Sequence, residues 1–132
     1  MIRILIVDDH VVVRQGLRIF LGLDPDLEIV AEAADGAEAV ALARQHRPDV
    51  VLMDLLMPVM SGVEATATIR RELPDTEVLA LTSVIEDTAV VEALRAGAIG
   101  YLLKNTDAPQ LRRAVKAAAN GQVQLSPQVA AQ

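Results

Sequence analysis

The chain has 132 residues, 52% of them hydrophobic, and a formal net charge of −6. That suits one aliphatic-cored domain and disfavours direct DNA binding, because phosphate contacts need a basic face. Phe20 and Tyr101 are the only aromatic residues and cysteine is absent, so aromatic stacking platforms, disulfides, thiolate zinc sites and cysteine nucleophiles are excluded.

In chain order, Ile2–Val7 is an apolar run interrupted only by Arg3, which reads as a strand. It runs into Asp8 and Asp9, and Val11–Leu21 then repeats apolar residues at helical spacing. Leu27–Ala33 is strand-like, and the alanine-rich stretch 35–47 is predicted to be a helix capped by Asp35 with Glu38 three residues on. "DVVLMD" at 49–54 is another short buried strand. Ser61 and Glu64 repeat the capping pattern ahead of a helix that must end before Pro74.

"EVLALT" (77–82), a helix over about 87–96, "GYLL" (100–103) and a helix over about 107–120 complete the series. Gly97 and Gly121 stand where helix stops are expected. Five strands alternating with five helices predict a parallel sheet covered on both faces, and the uniformly apolar strands agree with that burial. The opening "MIRILIVDD" is too short an apolar run for a signal peptide. No stretch reaches membrane-spanning length, so a cytoplasmic protein without membrane contact is the expectation.

The polar residues fall at strand ends. Asp8 and Asp9 close the first strand, Asp54 the third, Thr82 the fourth and Lys104 the fifth. The carboxyl ends of parallel strands share one edge, where ligands bind in such sheets. These five residues are therefore expected to converge. Singly, each Asp would read more simply as a turn residue or helix cap; their joint placement is what points to a site. Three aspartates together repel, at about 4 kcal/mol per pair of charges ~4 Å apart with an effective dielectric of about 20. Lys104 offsets only part of this. A hard divalent cation with oxygen ligands, Mg2+, is the natural complement. One carboxylate could then attack a phosphoryl group and become an acyl phosphate, with the cation and Lys104 neutralising the transferring oxygens.

These residues resemble the receiver domain of two-component response regulators. The likeness runs through "ILIVDDH", "PDVVLMDLLMPVMSGVEAT", "VLALTS" and "EALRAGAIGYLLKNT", almost the whole chain. "DDHVVVRQGL", "GYLLK" and "LSPQVA" are most similar to the LuxR/NarL/FixJ-type subfamily, whose output is a helix-turn-helix. The resemblance implies a flavodoxin-like, doubly wound (βα)5 fold with five parallel strands in the order 2-1-3-4-5. It implies that Asp54 is the phosphoacceptor, and that Asp8, Asp9, Asp54 and the main-chain carbonyl of Leu56 hold Mg2+. It implies Thr82 as switch hydroxyl, Lys104 as its ion-pairing lysine and Tyr101 as the aromatic that moves between exposed and buried states. Its partners would be a sensor histidine kinase and, on phosphorylation, a second copy of the chain. In the first helix Val12, Val13, Leu17, Ile19, Phe20 and Leu21, with Gly16, cover roughly 200° of arc, more than core packing requires, so Val12 and Ile19 are candidates for that contact; the face of the fourth helix, fifth strand and fifth helix is the other candidate. Such a domain assists its own phosphorylation and dephosphorylation but is not a conventional enzyme.

The expected division is a receiver over 1–121 and an extension over 122–132, the start of a linker to a DNA-binding output domain. A stand-alone receiver acting through protein–protein contacts remains the alternative. A small Mg2+-dependent phosphatase would need a second acid two residues past the nucleophile, where Leu56 stands, and a substrate-recognition cap. A flavodoxin-like cofactor carrier would need a Ser/Thr/Gly-rich loop where "DDHVVV" stands. A degenerate receiver, acting only as a binding module, would lack one of the five site residues, and all five are present. Two departures from the family pattern are Ser61, a serviceable helix cap, and Asn105 after the lysine in place of a frequent cis-proline.

Overall fold

The computed structural model describes residues 1–83 and 87–125. Six parallel strands form one sheet: β1 (Ile2–Val7), β2 (Leu27–Ala33), β3 (Val50–Met53), β4 (Glu77–Thr82), β5 (Gly100–Leu103) and β6 (Gln124–Leu125). Five helices connect them: α1 (Val11–Gly22), α2 (Gly36–His46), α3 (Gly62–Glu72), α4 (Asp87–Arg95) and α5 (Ala108–Ala119). The strand order is β2-β1-β3-β4-β5-β6, the expected order with one strand added.

Alternation along the strands divides the core into two layers. Leu5 and Val7 join the side packed under α2, α3 and α4 with Ala39, Ala65, Ile69 and Ala93. Ile4 and Ile6 join the side under α1 and α5 with Leu17, Leu21, Leu111 and Val115. Each such side chain is worth about 1.5–3 kcal/mol when fully buried. With both faces covered, strand residues of either parity must be apolar, which is why the strands read as continuous apolar runs.

The helix ends follow local chemistry. Asp35 Oδ1 accepts the Glu38 N–H at 2.8 Å, and the Ser61 hydroxyl accepts the Glu64 N–H at 3.2 Å. Asp107 accepts the Gln110 N–H at 2.8 Å. Gly97 and Gly121 both take positive φ, 109° and 78°, just past α4 and α5, where a left-handed residue closes a helix end. The Lys104–Asn105 peptide is trans, since no described peptide bond is cis.

The sixth strand corrects the five-stranded expectation. β6 pairs Gln124 with Gly100 and Leu125 with Tyr101. A two-residue strand has no periodicity to detect, and the space that admits it comes from β5: a Cβ on Gly100 would lie 2.0 Å from the Gln124 carbonyl oxygen. The signal was a glycine in another strand. Ser126 and Pro127, in the closing extension, lie outside the described residues.

Candidate functional site

β1 and β3 run side by side, Val7 level with Met53, and the next residue of each chain segment is an aspartate. The Asp54 N–H donates to the Val7 carbonyl at 3.0 Å, and the Asp8 N–H to that of Ala33 in β2 at 3.1 Å. Sheet hydrogen bonding thus continues one residue past the strands and fixes both backbones. Asp8 and Asp54 are buried, while Asp9 is exposed. Ligating atoms of Asp8, Asp9, His10 and Asp54 all lie within 4.8 Å of one another.

Lys104 leaves the end of β5 and reaches back across the edge. Its Nζ stands 2.7 Å from Asp8 Oδ2 and 3.5 Å from Asp54 Oδ2. Its N–H donates to the Thr82 carbonyl at 2.8 Å, so the buried Thr82 and the lysine are adjoining strand ends. The Leu56 N–H reaches Asp54 Oδ1 at 3.4 Å, while the Leu56 side chain is largely exposed. Asp8, Asp9, Asp54 and Lys104 therefore lie together at one edge, with Thr82 beside the lysine through its main chain. Tyr101 does not join them. It is wholly buried, in the layer beneath α4 and three residues before Lys104.

The loop after Asp54 depends on two glycines. The Gly62 N–H donates to the Leu55 carbonyl at 3.0 Å, and the Gly36 N–H to the Met60 carbonyl at 3.2 Å. A Cβ on Gly62 would lie 2.1 Å from the Asp54 carbonyl oxygen, and one on Gly36 would lie 2.4 Å from that of Met60. Within the loop Val59 has φ of 69°, an outlier for a β-branched residue.

The electrostatics are unbalanced. Three carboxylates face one ammonium, leaving two negative charges in excess when His10 is neutral. Burial pushes the Asp54 pKa above its ordinary 3.8, and the Asp8 charge adds to this against the pull of Lys104. For Lys104, burial works downward, but hydrogen bonding to Asp8 and the charge of Asp54 outweigh it and hold the ammonium above 10.5. The three carboxylates, with an excess charge of two, suit a hard divalent cation such as Mg2+, and the His10 imidazole adjoins them.

Two neighbours were missed in the sequence. His10 places Nδ1 3.2 Å from Asp8 Oδ1 and 3.1 Å from Asp9 Oδ1, and its N–H donates to Asp8 Oδ1 at 2.8 Å. Its adjacency to the acids was the available signal. Arg14 donates to the Asp8 carbonyl at 2.6 Å, a contact to main chain that no side-chain pattern reveals. Val84, two residues past Thr82, lies outside the described residues.

Comparison with known proteins agrees with this geometry. The sequence profile of the response regulator receiver domain matches residues 4–116. Over 130 residues the chain is 48% identical to the transcriptional regulatory protein LiaR of Bacillus subtilis (strain 168), covering 98% of this chain and 62% of LiaR. Over 128 residues it is 47% identical to the response regulator protein VraR of Staphylococcus aureus (strain Mu3 / ATCC 700698), covering 97% of this chain and 61% of VraR. A crystal structure of a LuxR-family two-component response regulator from Aurantimonas sp. SI85-9A1 superposes with a TM-score of 0.94 at 39% identity, covering 99% of this chain and 94% of that one. The chain thus spans about three-fifths of the length of these curated relatives.

Proposed function

The chain belongs to the response regulator receiver domain family, and from that premise we propose that it accepts a phosphoryl group on Asp54 from a sensor histidine kinase. Receiver domains of this LuxR-type class are signalling proteins and not conventional enzymes. The observation that carries the assignment is the meeting of Asp8, Asp9 and Asp54 beside Lys104 at one sheet edge.

In the transfer, an Asp54 carboxylate oxygen forms the new bond to phosphorus as the bond to the donor atom breaks. The departing electron pair leaves with the donor, which is the imidazole nitrogen of a phosphohistidine or the acyl oxygen of a small phosphodonor. The product is an acyl phosphate. Asp54 is fixed for this by its backbone bond to Val7 and its contact from the Leu56 N–H. Lys104, already between Asp8 and Asp54, would pair with the transferred oxygens. Mg2+, held by Asp8, Asp9, Asp54 and the Leu56 main-chain carbonyl, would neutralise the excess charge of the site and of the phosphoryl oxygens.

The new charge then acts through contacts that differ between two states. Thr82 and Lys104 lie on neighbouring strand ends, and Tyr101 follows β5 inward from Lys104. Drawing Thr82 and Lys104 toward the phosphoryl group would release Tyr101 from or commit it to its buried place, the switch expected of it. Phosphorylation is read here as favouring a homodimer. On α1, Val12 and Ile19 are 74% and 63% exposed, in line with a surface of their own apart from the Leu17–Leu21 side. Control of transcription would pass through a DNA-binding domain following a linker; the division expected after residue 121 falls ahead of β6, whose Gln124 and Leu125 pair with β5, so the receiver is taken to run to Leu125. No described helix is long and apolar enough to cross a membrane, and the setting proposed is cytoplasmic.

The test is mass measurement of the intact chain after incubation with acetyl phosphate. One phosphoryl group should appear with Mg2+, vanish with chelator and be absent from Asp54→Asn. The same mass gain in Asp54→Asn would refute the assignment.

A further inference from the structure

Arg14 stands one helical turn into α1, beside but outside the acidic cluster. Its guanidinium Nη1 donates to the Asp8 main-chain carbonyl at 2.6 Å, and its Nε to Glu32 Oε1 at 3.2 Å. Arg14 and Glu32 side chains are both 17% exposed. The second Glu32 oxygen, also buried, faces the guanidinium of the exposed Arg18. Glu32 is itself fixed, because it pairs with Ile6 in the β1–β2 ladder. The chain Glu32, Arg14, Asp8 carbonyl therefore ties the turn carrying the acids to the outermost strand of the sheet.

We propose that Arg14 is a positioning residue for the metal-binding acids, locking the β1–α1 turn so that Asp8 and Asp9 present their carboxylates in a fixed arrangement. The inference rests on the reading of these acids as ligands of Mg2+. Each polar group of Asp8 has a partner: its N–H bonds Ala33, its carbonyl accepts from Arg14, Oδ1 accepts from the His10 N–H and Oδ2 faces Lys104. Three of these partners belong to the adjoining strand, the turn or the opposing lysine. Arg14 supplies the fourth, and it is the one side chain among them that bonds the Asp8 main chain. Arg14 shares the Glu32 carboxylate with Arg18, and what it gives the acids is its bond to the Asp8 carbonyl, a geometric effect. A planar fork that reaches a carboxylate and a carbonyl at once has no equivalent in the single ammonium of lysine.

Groups that orient metal ligands typically change metal affinity by about 10–100-fold when removed. Calorimetric titration with MgCl2 of the full chain and its variants tests the role. Arg14→Ala and Arg14→Lys should both weaken Mg2+ binding by about tenfold, equivalent to about 1.4 kcal/mol. Glu32→Gln, which leaves an acceptor without its charge, should weaken it less. Arg18→Ala should leave it unchanged. In acetyl phosphate reactions the half-saturating Mg2+ concentration should rise while the limiting rate at saturating Mg2+ is retained.

Circular dichroism and metal-free melting establish that each variant is folded. Full rescue of Mg2+ affinity by Arg14→Lys would show a charge effect and overturn the proposal. So would unchanged Mg2+ affinity in folded Arg14→Ala, or a fall in limiting rate without a shift in half-saturation. Failure of the wild-type chain to bind Mg2+ would overturn the functional reading as well, whereas wild-type binding with indifferent Arg14 variants would overturn this inference alone.

Discussion

Replacing Asp54 by Asn should stabilise the metal-free protein at neutral pH, although it destroys the proposed phosphoacceptor. Ligating atoms of Asp8 and Asp54 lie within 4.8 Å, where two charges repel by about 3–4 kcal/mol at an effective dielectric of about 20. Lys104, 3.5 Å from Asp54, returns about 5 kcal/mol by the same formula. It is shared with Asp8 at 2.7 Å, and burial of the charged carboxylate opposes it further. The upward direction of the Asp54 pKa says which side wins: in the folded chain the charged form is the disfavoured one. Asparagine removes that charge at nearly constant shape, so the variant should be the more stable.

The pH dependence follows from proton linkage. The folded state holds the Asp54 proton to higher pH than the unfolded state, so wild-type stability falls as pH rises through the folded pKa. The advantage of asparagine should be absent below 3.8, where both states are protonated. It should grow between 3.8 and the raised folded value and level off above it. At pH 7 it should appear as a higher melting temperature than that of wild type. Mg2+ at a hundred times its dissociation constant would stabilise wild type by about 2.7 kcal/mol and close the gap. Urea denaturation with chelator at pH 7, repeated at pH 3, measures both arms. An Asn variant no more stable at pH 7, or equally advantaged at pH 3, would refute the reasoning.

Lys104→Met should destabilise the metal-free chain by about 2–4 kcal/mol, because Asp8 and Asp54 lose their shared cation. Wild type should also lose stability above pH 10.5, as the Lys104 ammonium deprotonates at its raised pKa, and denaturation of the Met variant across the same range should show a shallower decline. Gly62→Ala should cost about 1–3 kcal/mol and slow acetyl phosphate labelling, since its methyl would meet the Asp54 carbonyl and the Leu55 backbone. Val59→Gly should raise stability by about 1 kcal/mol, because Val59 is 84% exposed and its positive φ is strain with little packing in exchange; an unchanged or lower denaturation midpoint would contradict this.

The strands were legible because burial on both faces removes any need for alternation, so Ile4–Val7, Val50–Met53 and Val78–Leu81 announce themselves by composition. The acids and Lys104 were legible for a related reason: an abrupt change from aliphatic to charged marks the point where a strand leaves the core. Arg14 was not, since its role is to hold a carbonyl, and main-chain partners leave no pattern in side-chain identity. Val59 was equally opaque, as nothing in its residue type suggests a positive φ. The exposed arc of α1 lay between these cases: the excess apolar width was visible, and the exposure of Val12 and Ile19 follows from it.

The sixth strand has a mechanical consequence. β6 runs parallel to β5, with Leu125 level with Tyr101, so the polypeptide is travelling toward the acidic edge of the sheet as it passes Leu125. Lys104 lies three residues further along the neighbouring strand, about 10 Å at the rise of an extended chain. The backbone there is clipped to the same strand that carries the lysine, through a gap that only a missing methyl at Gly100 leaves open. A tug on β5 would therefore be felt by β6 directly, as one rail of a ladder moves its neighbour. Conversely, a load applied beyond Leu125 would bear on the strand that holds Lys104 against Asp8 and Asp54.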